Sequence, residues 1–189
     1  MIGKIKHIRT IAAVVTGSLL MFALMRFAAI PTIAPNTSID FGIVILSAFA
    51  AVFGPVAGLF IGFIGHTLTD LTNGLVWWTW VLPDALYGCI IGFLWKLLKI
   101  EEGQFGIKEV LLFNGVQYVS NFMVWVVIAP SLDLIIYHQE TNTVYMQGLV
   151  AAGLNSAVVL VFGTALLFGY SRIRAKTGRI NENNNKVQS

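Results

Sequence analysis

The chain has 189 residues, of which 57% are hydrophobic and only 11% are charged, and its formal net charge is +3. A soluble domain carries roughly 25% charged residues, so this composition excludes a soluble globular protein and also a disordered chain. The single cysteine, Cys89, excludes an internal disulfide framework. The composition therefore predicts a small membrane protein with one domain, residues 1–189.

Six apolar segments are long enough, or nearly so, to cross a hydrocarbon core that takes about 20 residues of helix. They span residues 9–30, 39–53, 55–73, 77–98, 108–129 and 145–170, and the second is short. Gly54 and Pro55 predict a tight turn between the second and third segments, and Pro130 predicts the end of the fifth. The first segment exceeds the roughly 7–15 apolar residues of a signal peptide, which favours an uncleaved helix. The sequence thus predicts an all-α bundle of six transmembrane helices over about residues 9–170.

Eleven of the twelve basic residues fall on one side of this six-span arrangement, and the exception is Arg26 near the outer end of the first span. They precede the first span, flank the connection between the fourth and fifth, and fill the tail, whereas the three opposite loops contain no Lys or Arg. By the positive-inside rule, both termini are predicted to be cytoplasmic in a multi-pass protein of the cell membrane. The tail, residues 171–189, is predicted to be partly disordered and to attract anionic lipid rather than nucleic acid.

Polar and aromatic side chains gather in the outer halves of the predicted helices, where polar groups are costly and usually face the bundle interior. Their spacing places them on shared helical faces, which predicts a cavity that opens to the outside and binds a ligand. The candidate ligand contacts are Trp80, Asp84, Tyr87, His66, Asp70, Gln117, Asn121 and Asn155.

Several of these residues have a second interpretation. Gln117 and Asn121 are also typical of hydrogen bonding between helices, and His66 with Asp70 at i+4 is also typical of a bond within one helix. Trp77 and Trp78 are more typical of an interfacial aromatic belt than of ligand contacts. Arg26 is predicted either to lie at the outer interface or to pair with Asp40 or Asp70 and so support the site.

Small residues recur every fourth position in three places. Gly54, Gly58 and Gly62 form one series, and Gly88 and Gly92 form another, which predicts close helix packing within the bundle. Ala13 and Gly17 make a similar pair in the first span. The sequence has no Gly-x-x-x-x-Gly-Lys-Ser/Thr loop, so ATP hydrolysis by that route is not expected of this chain.

Four stretches together are specific enough to indicate a family: residues 26–38 (RFAAIPTIAPNTS), 53–58 (FGPVAG), 62–70 (GFIGHTLTD) and 77–80 (WWTW). Over about residues 10–175 the chain resembles the substrate-binding S components of energy-coupling factor (ECF) vitamin transporters, of the riboflavin-type or hydroxymethylpyrimidine-type subfamily. The resemblance implies six helices, an outer substrate pocket and no cofactor or metal. It also implies assembly with a membrane coupling subunit and two ATPase subunits.

The resemblance further implies roles for two short segments. The first outer loop, with Pro31, Pro35 and Asn36, corresponds to the lid over the substrate. Ala13 and Gly17 correspond to the docking pair for the coupling subunit, where the family commonly has Ala-x-x-x-Ala.

The favoured function is therefore import of a small heterocyclic vitamin or vitamin precursor, with hydroxymethylpyrimidine or pyridoxine preferred and riboflavin as the alternative. An intramembrane enzyme with His66 and either Asp70 or Asp84 as acid and base is a rival hypothesis. The absence of a recognisable nucleophile or metal set favours transport over that enzyme. A third hypothesis is a scaffold that assembles through its glycine faces and binds no small molecule.

Overall fold

The structure is a computed structural model that describes residues 2–188, with side chains over residues 7–178. Four helices are regular: α1 (Ile2–Phe27), α2 (Gly42–Phe53), α3 (Pro55–Asn73) and α4 (Trp78–Gly92). Helix α5 joins Ile107–Phe122, a π-helical segment Met123–Ile128, and Ala129–Ile136. Helix α6 joins Thr141–Val158, a π-helical segment Val159–Gly163, and Thr164–Gln188. The partial disorder predicted for residues 171–189 stays a prediction, and the side chains of residues 179–189 lie outside those described.

A short hairpin connects α1 to α2. Strand β1 (Ile30–Pro31) pairs antiparallel with β2 (Ser38–Ile39), so that Ile30 lies opposite Ile39. The all-α prediction is confirmed for the helical class of the fold, and this two-residue strand pair is its one addition among the described residues.

Three of the helices are long and apolar enough to cross a membrane by length and composition, namely His7–Phe27 of α1, Ile107–Ile136 and Thr141–Gly178. Helix α2 is apolar but has only 12 residues, which extend about 18 Å at 1.5 Å per residue. It is instead the centre of the bundle, because Ile43, Leu46, Ala50 and Ala51 are all fully buried.

The predicted helix bounds are right for the third helix and wrong for the end of the fifth. At the turn before α3, Gly54 has a φ of +94°, and Pro55 then occupies the first turn of α3, as expected for a residue without an N–H. Pro130 does not end α5, which continues to Ile136. The π-helical segment ends just before Ala129, so Pro130 lies in the first turn of a new α-helical stretch and breaks no hydrogen bond there.

Two further bounds differ from the sequence prediction. The regular part of α4 ends at Gly92 rather than near residue 98, and the chain continues in tight turns such as that closed by the bond from Trp95 N–H to Gly92 O. Helix α6 begins at Thr141. Because α5 runs further and α6 starts earlier, the predicted outer loop of residues 131–144 shrinks to residues 137–140.

Helices α3 and α4 pack with their backbones in direct contact through the predicted glycines. A Cβ atom on Gly58 would lie 2.1 Å from the carbonyl oxygen of Gly88, and one on Gly62 would lie 2.5 Å from the carbonyl oxygen of Asp84. A Cβ on Gly92 would lie 2.3 Å from Pro55 Cα. Backbone atoms cannot move aside as side chains do, so only glycine allows this approach.

We expect Gly58→Ala to destabilise the bundle, because its methyl group would force α3 and α4 apart. Overpacking of this kind costs about 1–3 kcal/mol, which lowers the thermal midpoint of a chain of this size by several degrees. The measurement is thermal unfolding of the purified protein in detergent. Gly153→Ala is the matched control, because nothing lies within 4 Å of the added Cβ. Equal midpoints for the two variants would contradict the backbone contact.

Candidate functional site

A cavity of about 320 Å³ lies at the end of the bundle where α3 and α5 end and where α4 and α6 begin. Residues of five segments surround it, including the first loop. Its lining consists of Asn36, His66, Asp70, Leu75, Trp77, Trp80, Asp133, Gln139, Thr143, Val144 and Gln147. Small-molecule sites typically enclose about 300–1,000 Å³ with a few convergent polar groups, and this cavity fits that description.

The carboxylate of Asp133 organises one wall of the cavity. It accepts a hydrogen bond at Oδ1 from Trp77 Nε1 (2.8 Å) and another at Oδ2 from Trp80 Nε1 (2.7 Å). The hydroxyl of Thr79 also donates to Oδ1. Because Asp133 is 1% exposed, these bonds join the start of α4 firmly to the end of α5 and fix both indole rings.

Each of the two tryptophans is also held by a second aromatic ring. The Trp80 ring lies 5.1 Å from that of Trp125, and the Trp77 ring lies 4.6 Å from that of Tyr137, measured between centroids. These distances are typical of favourable aromatic pairs. The rings are therefore positioned before any ligand arrives, and an aromatic wall of this kind suits a flat heterocycle.

His66 forms the opposite polar group and lies between two carboxylates. Its Nδ1 is 2.6 Å from Asp84 Oδ2, a hydrogen bond in which the ring N–H donates, and its Nε2 is 3.7 Å from Asp70 Oδ1. Asp70 also accepts at Oδ2 from the backbone N–H of Trp77 (2.8 Å). Asp84 thus orients the imidazole from behind, while His66 and Asp70 face the cavity.

The tip of the first loop lies at the edge of the cavity and is bonded to α6. Gln147, which lines the cavity, donates from Nε2 to the carbonyl oxygen of Pro35 (2.8 Å). Within the loop, the Thr32 hydroxyl donates to Thr37 O (2.8 Å), and Thr32 N–H donates to the same oxygen (3.0 Å). Asn36, in the left-handed region with a φ of +51°, lies at the tip and contributes to the lining.

The structure brings some of the predicted site residues together and separates others from the cavity. His66, Asp70 and Trp80 line it, as does Asn36 of the first loop, and Asp84 lies directly behind His66. The remaining predicted contacts are buried outside the lining: Tyr87, Gln117, Asn121 and Asn155.

These deeper residues are mostly bonded to protein groups. Tyr87 pairs with the Ser47 hydroxyl (2.8 Å), and Asn121 Nδ2 donates to Gln117 Oε1 (2.9 Å). Gln117 Nε2 reaches across to Ser156 O on α6 (3.3 Å). The bond from Gln117 to Ser156 O fits the interpretation that the amide side chains of α5 form hydrogen bonds between helices. Three oxygens near this level, Asp84 Oδ1, Asn121 Oδ1 and Asn155 Oδ1, are buried without a hydrogen-bond partner among the described residues.

Sequence reasoning missed the two residues that join the walls of the cavity, Asp133 and Gln147. Taking Pro130 as the end of the fifth helix places Asp133 in an outer loop, whereas Gln147 lies within the sixth predicted span, where its spacing gives no signal of its own. The available signal was a carboxylate within an otherwise apolar segment, Ala129–Ile136, since such residues in membrane proteins mark functional or paired positions. Trp77 was assigned to the interfacial belt, yet it lines the cavity.

Two expectations for α1 differ from the structure. Arg26 is exposed, and among the described residues it makes no ion pair with Asp40 or Asp70; the interface position is therefore the interpretation that remains. Ala13 and Gly17 face the interior, because Ala13 is 4% exposed and a Cβ on Gly17 would lie 2.6 Å from Ile61 Cδ1. In this conformation, that pair is not available to a partner.

A helical membrane bundle with a partly open polar and aromatic cavity, and with a loop bonded to α6 at its edge, is typical of a membrane protein that binds small molecules. Residues 5–172 match the family described as "ECF-type riboflavin transporter, S component". The chain belongs to this family, so it is a membrane-embedded substrate-binding subunit of an ECF transporter and not an enzyme. Members of the family bind small vitamins and work with coupling and ATPase subunits.

Curated relatives match most of the length of the chain. The UPF0397 protein of Lacticaseibacillus casei (strain BL23) is 44% identical over 94% of this chain and 96% of its own length. The corresponding protein of Clostridium perfringens (strain SM101 / Type A) is 41% identical over 92% and 94%, and that of Staphylococcus aureus (strain MRSA252) is 38% identical over 92% and 95%. No solved structure matches the chain.

We expect Asp133→Ala to destabilise the protein and to loosen the aromatic wall. The change leaves the indole N–H groups of Trp77 and Trp80 and the hydroxyl of Thr79 without their acceptor, and each buried donor left unpaired costs about 1–3 kcal/mol. The measurements are the thermal midpoint and the tryptophan emission spectrum in detergent. Glu102→Ala, an exposed position among the turns after α4, is the control. An unchanged midpoint and spectrum for Asp133→Ala would show that this carboxylate does not hold the wall.

Proposed function

We propose that the chain captures a small heterocyclic vitamin or vitamin precursor for import and holds it in the 320 Å³ cavity. Hydroxymethylpyrimidine and pyridoxine are the favoured ligands, and riboflavin is the alternative. The observation that carries this proposal is the pair of fixed indole rings facing His66 and Asp70 across the cavity. Flat rings stack on such a wall, and their ring nitrogens and substituents meet the polar side.

The size of the cavity supports a ligand with one ring. About 320 Å³ is close to the lower limit of small-molecule sites, which suits a substituted pyrimidine or pyridine better than the three fused rings and ribityl chain of riboflavin. The description of the matched family, which names riboflavin, is the reason to keep that alternative in the test.

The charge of the lining supports a neutral or cationic ligand with N–H donors. Asp70 and Asp133 contribute carboxylates, and no lysine or arginine is among the lining residues. Asp133 is occupied by three donors from the protein, whereas Asp70 Oδ1 has only the long contact with His66. An exocyclic amine or a ring N–H of the ligand would therefore bond to Asp70, and a hydroxyl group would bond to His66 or Gln147.

The deeper polar residues form a second layer in this proposal. Tyr87, Gln117, Asn121 and Asn155 lie below the cavity floor, and the oxygens of Asn121 and Asn155 retain hydrogen-bonding capacity. A ligand that penetrates further than the present cavity would meet these groups.

We place all six helices in one membrane bundle with both termini in the cytoplasm. The support is the clustering of Lys and Arg at the α1 start, around the α4–α5 connection and after α6. The cavity then opens to the outside, beneath the first loop. Pro31, Pro35 and Asn36 belong to that loop, and the bond from Gln147 to Pro35 O closes it over the ligand.

The partners in this proposal are an ECF coupling subunit and two ATPase subunits. Because Ala13 and Gly17 are buried against α2 and α3, we assign the docking contact to the neighbouring small residues of the same helix, Ala12 and Thr16. Both are exposed, and small residues four apart permit close approach of a second helix.

A ligand panel tests the substrate. Purified protein in detergent is expected to unfold at a higher temperature with hydroxymethylpyrimidine or pyridoxine, because a ligand that binds only the folded state stabilises it by mass action. At 100 times Kd, the gain is about 2.7 kcal/mol. Riboflavin, thiamine and an aliphatic acid complete the panel. A shift with riboflavin alone would replace the favoured ligands by the alternative, and no shift with any heterocycle would contradict the proposal.

Two variants test the site with the ligand that the panel selects. Asp70→Asn is expected to weaken binding about tenfold to a hundredfold, since a hydrogen bond to a charged group contributes about 1.5–3 kcal/mol. Trp80→Leu is expected to weaken it several-fold through loss of ring stacking. Titration calorimetry measures both.

Glu102→Gln and Trp95→Leu are the matched controls, because these residues lie at the opposite end of the bundle. The site assignment fails if the controls weaken binding as much as Asp70→Asn and Trp80→Leu do.

A further inference from the structure

A second cavity lies at the end of the bundle opposite the candidate site. It occupies about 400 Å³ between the start of α1, the end of α2 and the turns that follow α4. Its inner wall is apolar and consists of Val52, Phe53 and Trp95, whereas its rim carries the cations Arg9, Lys96 and Lys99. Nothing in the proposed transport of a vitamin uses this cavity.

The rim has an excess of positive charge. Glu101 accepts from Arg9 (3.2 Å) and from Arg174 (3.3 Å), so its charge is neutralised within the protein. Lys96 and Lys99 form no ion pair with any described carboxylate, and the Lys96 ammonium lies 5.3 Å from the centre of the Trp95 ring. The negative charge of Glu102 balances one of these two lysines. Arg9 and Arg174 together carry two positive charges, of which Glu101 balances only one, so the other adds to the excess.

The backbone holds the two lysines in place. Lys99 has a φ of +48°, and its carbonyl oxygen accepts from Glu102 N–H (3.2 Å) and Gln104 N–H (3.1 Å). Glu101 is tied to α1 through Arg9 and to α6 through Tyr170, whose hydroxyl donates at 2.9 Å. The turn that carries Lys99 and Glu101 is therefore held by the backbone and by both neighbouring helices.

The composition of the cavity matches one class of ligand. The cavity has an apolar wall and a cationic rim, and it lies next to a tryptophan at the level where basic residues flank the helices. This combination suits an anionic lipid. Its phosphate would meet the cations, and its acyl chain would lie along the aromatic wall. A free phosphate would meet the cations of the rim but would make no use of the apolar side chains Val52 and Phe53.

We propose that this cavity is a binding site for an anionic phospholipid, with Lys96, Lys99 and Arg9 around the phosphate and Phe53 and Trp95 along the acyl chain. The site anchors the α4–α5 turns at the membrane surface. It is independent of the vitamin site, so either proposal can fail without the other.

The test compares lipid retention by native mass spectrometry of protein in detergent supplemented with phosphatidylglycerol or phosphatidylcholine. The wild-type chain is expected to retain one phosphatidylglycerol in preference to phosphatidylcholine. A Lys96→Gln, Lys99→Gln double variant is expected to retain it about tenfold to thirtyfold less, since each lysine near an anionic lipid surface contributes a factor of about five.

Lys108→Gln with Lys176→Gln is the matched control, because it removes the same charge from exposed residues outside the cavity lining. Equal losses in the two double variants would mean diffuse attraction to the lipid surface and would overturn the proposal. Inorganic phosphate that displaces phosphatidylglycerol and raises the thermal midpoint equally would overturn the assignment to a lipid. A thermal midpoint in phosphatidylcholine within a degree or so of wild type shows that the variants are folded.

Discussion

The backbone contact between α3 and α4 is the constraint on which the candidate site depends. Glycines at positions 58, 62, 88 and 92 let the two helices approach so closely that a Cβ atom at any of these positions would clash with a main-chain atom of the other helix. Only at that separation can His66 on α3 reach Asp84 on α4 at 2.6 Å, and Asp70 reach the N–H of Trp77 at 2.8 Å. The polar side of the cavity thus depends on the glycines that let α3 and α4 pack closely.

The second constraint is a buried carboxylate held by neutral groups. A charge in the bundle interior is costly unless it is fully bonded, and Asp133 is bonded by two indoles and a hydroxyl instead of by a cation. This arrangement leaves the negative charge in the cavity uncompensated. An anionic ligand would be repelled, so one residue both positions the aromatic wall and sets the electrostatic preference of the site.

The sequence was a good guide where a single residue type dictates the backbone and a poor guide where helices join. Gly54 and Pro55 allowed the start of α3 to be placed correctly, and the glycine spacing indicated the α3–α4 contact. Pro130 was misleading because the π-helical segment before it shifts the hydrogen-bond pattern, and no residue pattern predicts such a segment. The polar face of α3 indicated two residues that line the cavity, His66 and Asp70. On α5, Gln117 donates to Ser156 O of another helix, whereas Asn121 donates to Gln117 within the same helix.

Far fewer hydrogen bonds hold the first loop in place than hold the helices of the bundle beneath it. Its strands are two residues long, and Gln147 to Pro35 O is the side-chain hydrogen bond that joins its tip to α6. Segments with so few bonds open locally at a small fraction of the free energy that unfolds the core. The proposed lid can therefore open without rearrangement of the helices. Because binding and release beneath such a lid both require it to open, the strength of the loop's few contacts would affect both the rate of association and the residence time of a ligand.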